Sequence, residues 1–150
     1  MKGKFSASLL SLACASCATA GTSFGGQWVY RQECRFGHVA TLELQQKGSE
    51  ISGIWGDGTR VRGESGLLKG SIKGRRAQVR FCSESSDDAD HTCPSYGNED
   101  AHLERKGDTL VWYRGADVYV TLHPGGVDKT VPIDDSDCAV EGEKTGFTVN

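Results

Sequence analysis

Proline is scarce in this chain, with three residues in 150, and methionine occurs once. No stretch repeats apolar residues at helical spacing over three turns between capping residues, which argues against a helical bundle. After the first twenty residues no apolar run is long enough to cross a membrane as a helix. Gly-x-Ser-x-Gly is absent, so no nucleophile elbow is encoded, and His-Glu-x-x-His is absent, so no zinc-protease helix is encoded. Aromatic–basic platform motifs of nucleic-acid modules are missing as well. These absences leave catalysis without a candidate nucleophile and make a cofactor unnecessary to the reading.

Glycine, by contrast, is abundant, at 20 residues. It punctuates short runs of alternating apolar and polar residues, the pattern of strands joined by tight turns. Ala40, Leu42 and Leu44 share one face of 38–46, and Glu43 and Gln45 share the other. Segment 76–82 is the clearest strand, with Ala77, Val79 and Phe81 inward and Gln78 and Arg80 outward. Gly56-Asp57-Gly58 reads as a hairpin turn, followed by a short strand at 59–63 with Val61 inward. Val118, Val120 and Leu122 read as the inward set of the last strand, with Tyr119 and Thr121 outward. About nine short segments in hairpin succession predict an antiparallel meander. Closure into a barrel of about eight strands removes its edges; a β-sandwich is the alternative.

The N-terminus has the three parts of a secretory signal: basic Met1-Lys2-Gly3-Lys4, an uncharged apolar run from Phe5, and Ala18-Thr19-Ala20 as a small-residue exit. Neither Cys14 nor Cys17 sits in a good lipoprotein context, so the expectation is a soluble mature chain from about Gly21, periplasmic or secreted, with no transmembrane anchor. Loss of residues 1–20 removes Lys2 and Lys4 and no acid, leaving 15 basic against 20 acidic residues. The predicted organisation is a signal over 1–20, a barrel over 21–123 and an acidic tail over 124–150.

Four cysteines remain: Cys34, Cys82, Cys93 and Cys138. An even number in an exported chain predicts two disulfides. Three pairings are possible; Cys82–Cys93 and Cys34–Cys138 are preferred, one closing a polar loop and one tying the tail to the first strand. A zinc site from Cys82, His91 and Cys93 fits neither the compartment nor zinc-finger spacing. The acidic loop 83–98, with Asp87, Asp88 and Asp90, lacks EF-hand spacing. No metal is expected.

Between Arg60 and Arg80 the chain has seven bases and one acid, Glu64. Strand alternation would put Arg60, Arg62, Lys69, Arg76 and Arg80 on one outward face, a basic patch on an acidic protein and a candidate surface for a protein or anionic partner. Charged outward positions also serve solubility and discourage edge aggregation. His102 and Glu104 share a strand face and are the acid–base pair that a hydrolytic enzyme would use. Trp55 and Trp112 are candidates for lining a pocket, or for the core.

Gly26-Gln27-Trp28 at the first strand resembles the opening of lipocalin-like and avidin-like barrels, in which the Trp plugs one end. Size, export, disulfides and strand density, with Tyr30 and Cys34 early and Cys138 late, also look like small periplasmic inhibitors of C-type lysozyme. Their Ser-Gly-x-x-Tyr stretch is missing, since Ser52-Gly53-Ile54-Trp55 places its aromatic one position early, and no functional residue is carried over. The expectation is therefore a non-enzymatic extracytoplasmic binding protein with a macromolecular partner, in an inhibitor or immunity-type role. The alternative is a barrel carrying a small apolar ligand. Nucleic acid is not an expected partner.

Overall fold

Alternation at period 2, cut by glycine, gives eight strands in the computed structural model, which describes residues 23–34, 36–85, 91–97, 100–126 and 130–136. They are β1 (Gly26–Gln32), β2 (His38–Lys47), β3 (Glu50–Gly58), β4 (Gly63–Lys73), β5 (Arg76–Ser83), β6 (Ala101–Lys106), β7 (Thr109–Arg114) and β8 (Asp117–Pro124). Each pairs antiparallel with the next, and β8 returns to β1 through Trp28↔Pro124 and Val29↔His123, so the sheet is a closed barrel. The expected signal segment lies outside the described residues.

Closing so small a barrel bends its strands sharply, and glycine makes room for this. A Cβ on Gly53 or Gly66 would sit 2.0 Å from the carbonyl oxygen of Glu43 or Cys82 on the neighbouring strand. Any other residue there would force the strands apart.

The interior follows the predicted faces over most of its length. Ala40, Leu42, Leu44, Leu68, Ala77, Val79, Phe81, Leu103 and Trp112 form one buried cluster. Trp28 closes one end of the barrel, donating its indole N–H to the Phe24 carbonyl oxygen at 2.9 Å. The Arg105 guanidinium lies 4.5 Å over the Trp28 ring, so a buried cation caps this end through its π face.

Two local expectations fail for physical reasons. Segment 59–63 is not a strand. Gly56-Asp57-Gly58 continues β3 and pairs with Gly63-Glu64-Ser65. The turn comes later, where the Thr59 N–H donates to the Arg62 carbonyl oxygen at 2.8 Å, and Val61 at its tip is 73% exposed. Gly58 faces Gly63, and a Cβ on it would meet the Gly63 Cα at 2.8 Å. These glycines serve close strand approach, not turn conformation. In β8, the register shifts opposite Trp112 and Tyr113, where Trp112 pairs with Val120 and Tyr113 with Val118. The extra residue is Tyr119. Val118 is consequently 55% exposed, and Tyr119 packs against the core.

Cys82 is bonded to Cys93, as expected. This clamp sits where the chain leaves β5, and backbone bonds reinforce it from Cys93 N–H to the Ser83 oxygen and from Gly97 N–H to the Phe81 oxygen. Replacing both cysteines with Ala is expected to cost roughly 2–3 kcal/mol, the entropy of a short closed loop. Urea denaturation of the two proteins checks this. The other expected bridge, Cys34–Cys138, has one end outside the described residues. Of the tail, 130–136 lies along β1, with the Asp134 N–H donating to the Arg31 carbonyl oxygen at 2.8 Å and Val131 buried.

Candidate functional site

The end opposite Trp28 is open. Residues 33–34, 36–37, 59–62 and 115–116 ring it, together with Glu84 and Ser85 after β5. A cavity of about 590 Å³ occupies this mouth, with Trp55, Asp57, Arg62, Arg114 and Tyr119 in its wall.

Asp57 organises the site. The shift of the β3–β4 turn past Gly58 leaves Asp57 within the strand, facing inward with its side chain 13% exposed. A carboxylate so placed needs partners for both oxygens. His38, the first residue of β2, meets Oδ1 through Nε2 at 2.6 Å. Arg114, the last residue of β7, donates to Oδ2 at 2.8 Å. The Tyr119 hydroxyl also donates to Oδ2. With His38 neutral, this arrangement puts its proton on Nε2 and leaves Nδ1 as an acceptor.

The bulge in β8 is what brings Tyr119 here. With regular pairing the ring would point to solvent; the inserted residue turns it into the mouth. Burial raises the Tyr119 hydroxyl well above the ordinary phenol range, and its hydrogen bond to Asp57 and the negative charge there add to the effect. It remains a neutral donor at any physiological pH.

Aromatic rings form the floor. Trp55 meets Phe81 edge-on at 5.6 Å, Phe81 stacks on Trp112 at 5.0 Å, and Trp112 meets Tyr119 edge-on at 5.3 Å. The Trp55 indole N–H is committed to the Cys82 carbonyl oxygen at 3.0 Å. The Arg114 guanidinium lies 3.7 Å over Tyr119 with its side chain 49% exposed, so most of its donors remain open to the cavity.

The predicted basic residues do not form one continuous face. Arg62 lines the mouth. Arg60 folds back over the neighbouring loop, donating to the Glu33 carbonyl oxygen at 3.2 Å. Lys69 and Arg80 stand opposite each other in the middle of the outer surface, and Arg76 stands opposite Lys73 near the closed end. Both arginines of the expected 59–63 strand are thus on the rim.

His102 and Glu104 share the outer face of β6, and among the described residues no hydrogen bond links them. The His102 ring stacks flat on Tyr113 at 4.4 Å and is buried. Burial, then the nearby Arg76, lowers its pKa below the ordinary 6.5. The unfolded chain therefore takes up a proton that the folded one resists. The His102 contribution is complete above about pH 6.5 and shrinks as pH falls below it. Thermal melts should show a loss of stability on acidification that is smaller in His102→Gln.

Sequence reasoning missed His38, Asp57, Arg114 and Tyr119 as a group. They come from four strands, and none lies in a motif. Among the described residues no cluster of His, Cys, Asp and Glu is placed to hold a metal ion, and no helix is long and apolar enough to cross a membrane. The chain matches no family model, no curated protein and no solved structure.

Proposed function

We propose that this chain is a non-enzymatic binding protein that works in the periplasm or outside the cell, and that the barrel mouth holds a small organic ligand. The observation that carries the reading is the convergence of His38, Asp57, Arg114 and Tyr119 on one concave, aromatic-floored cavity. Small-molecule sites combine an apolar wall with a few oriented polar groups in this way. The ligand rests an apolar face against Trp55 and offers an acceptor to the open donors of Arg114. The disulfide Cys82–Cys93 supports an oxidising compartment. Among the described residues His38 and Asp57 bond with Arg114 and Tyr119, an arrangement that favours binding over turnover.

Native mass spectrometry of the oxidised protein against a library of small organic molecules tests the reading. Hits are expected with the wild type and should disappear in Thr59→Trp, where an exposed rim position is filled. Hits that survive this substitution would place binding elsewhere. A macromolecular partner has separate support on the outer surface, where Lys69 and Arg80 stand opposite each other.

A further inference from the structure

Strand register lines up outward side chains across the barrel wall. Gln45 stands opposite Ser52, Ser52 opposite Lys69, and Lys69 opposite Arg80, a single polar row across β2, β3, β4 and β5. At about 4.8 Å between strands, the row is roughly 14 Å long. A second row, one pleat repeat away, runs Lys47, Glu50, Ser71 and Gln78. Between them lies a cleft of about 660 Å³.

The charge in this cleft is unbalanced. Lys47 faces the acid Glu50 across the ladder, whereas Lys69 and Arg80 face each other, and neither makes an ion pair among the described residues. Directly opposed like charges destabilise a sheet. Lys69 is steadied from the side, with its ammonium 3.9 Å over the ring of Tyr96 on the disulfide-clamped loop. The clamp thus holds one of two uncompensated cations in place over the cleft.

We propose that this cleft binds a strand of anionic polysaccharide, with Lys69 and Arg80 meeting its acidic groups and Gln45, Ser52 and Ser71 meeting its hydroxyls. The lining chemistry selects this partner over other anionic polymers. Single-stranded nucleic acid is held by bases stacked on open aromatic faces, and the ring beside this cleft, Tyr96, has a face covered by Lys69. Protein partners are anchored by apolar or aromatic side chains entering pockets, and the one large apolar residue in the lining, Ile51, is buried. Hydroxyls, amides and two opposed cations in a shallow open cleft suit a hydroxyl-rich, carboxylated or sulfated chain. This inference does not depend on the mouth being a ligand site.

The test measures binding of the oxidised full chain to polygalacturonate, heparin, neutral dextran and single-stranded DNA by biolayer interferometry at low and high salt. Polygalacturonate or heparin should bind, with affinity falling as salt rises, and dextran should not. Lys69→Ser combined with Arg80→Ser should weaken binding by at least about tenfold, the equivalent of one charge-assisted hydrogen bond. The double variant should melt no lower than the wild type, because a like-charge pair is removed. Arg62→Ser, on the mouth rim, should bind as the wild type does. The proposal is overturned if neither anionic polysaccharide binds, if the double variant binds unchanged, or if DNA binds as tightly through the same two residues.

Discussion

Replacing Asp57 with Ala is expected to dismantle the mouth and to cost about 2–3 kcal/mol of stability. Three donors converge on this carboxylate: the His38 ring, the Arg114 guanidinium and the Tyr119 hydroxyl. Arg114 is half exposed and regains water, so it adds little. His38 and Tyr119 are only partly accessible, and each loses its charged acceptor in a site that water replaces poorly. A spectroscopic signature separates this from general loosening. Burial of Tyr119 would persist while the bond to Asp57 and its charge vanish, so the hydroxyl should ionise at lower pH than in the wild type. Titration of tyrosine absorbance checks this, with Tyr119→Phe identifying the component. Asp57→Asn should fall between, because its amide oxygen keeps Arg114 and Tyr119 as donors while the charge on the acceptor is lost. An unchanged tyrosine titration in Asp57→Ala would mean that the network does not form.

The largest stability effect is expected at Trp112. Its side chain is buried, stacked on Phe81 and edge-on to Tyr119, with Arg114 5.3 Å above the ring. Trp112→Ala leaves a hole beneath the mouth that rigid neighbouring strands cannot close, at a cost of roughly 3–5 kcal/mol. Domains of this size have about 5–15 kcal/mol in total, so the variant should be close to unfolding at physiological temperature. Trp112→Phe keeps the stacking plane and should cost about 1–2 kcal/mol. Urea denaturation measures both. A loss below about 1 kcal/mol for the Ala variant would remove Trp112 from the centre of the core.

Period 2 was enough to read the barrel walls. Leu42 and Leu44, Val79 and Phe81, and Leu103 face inward as the alternation requires, because one face of each strand must leave water. The Cys82–Cys93 clamp is the preferred one of three possible pairings, because it closes a short polar loop between two apolar strands, and the structure has it. The mouth was not, and two local events explain why. Asp57 between two glycines has the composition of a turn, yet the glycines are there for strand contact and the turn falls at Thr59. Tyr119 sits in a run that alternates without a break, and nothing in the one-dimensional pattern marks the inserted residue of a bulge. Asp57 moves from a predicted turn, and Tyr119 from a predicted outward position, to the inside, and together they assemble the site. The run of bases from Arg60 to Arg80 was visible as composition, but its division between rim and wall depended on that same turn.

Where ligands bind decides whether the mouth is the site. Nuclear magnetic resonance of the labelled, oxidised protein, titrated with the small molecules retained in the library screen, gives that location residue by residue. The mouth reading predicts shifts concentrated at His38, Asp57, Arg114 and Tyr119 and at the Trp55 indole, absent from the Trp28 end, and lost in Thr59→Trp. Shifts confined to the outer wall, or spread evenly over the barrel, would contradict it.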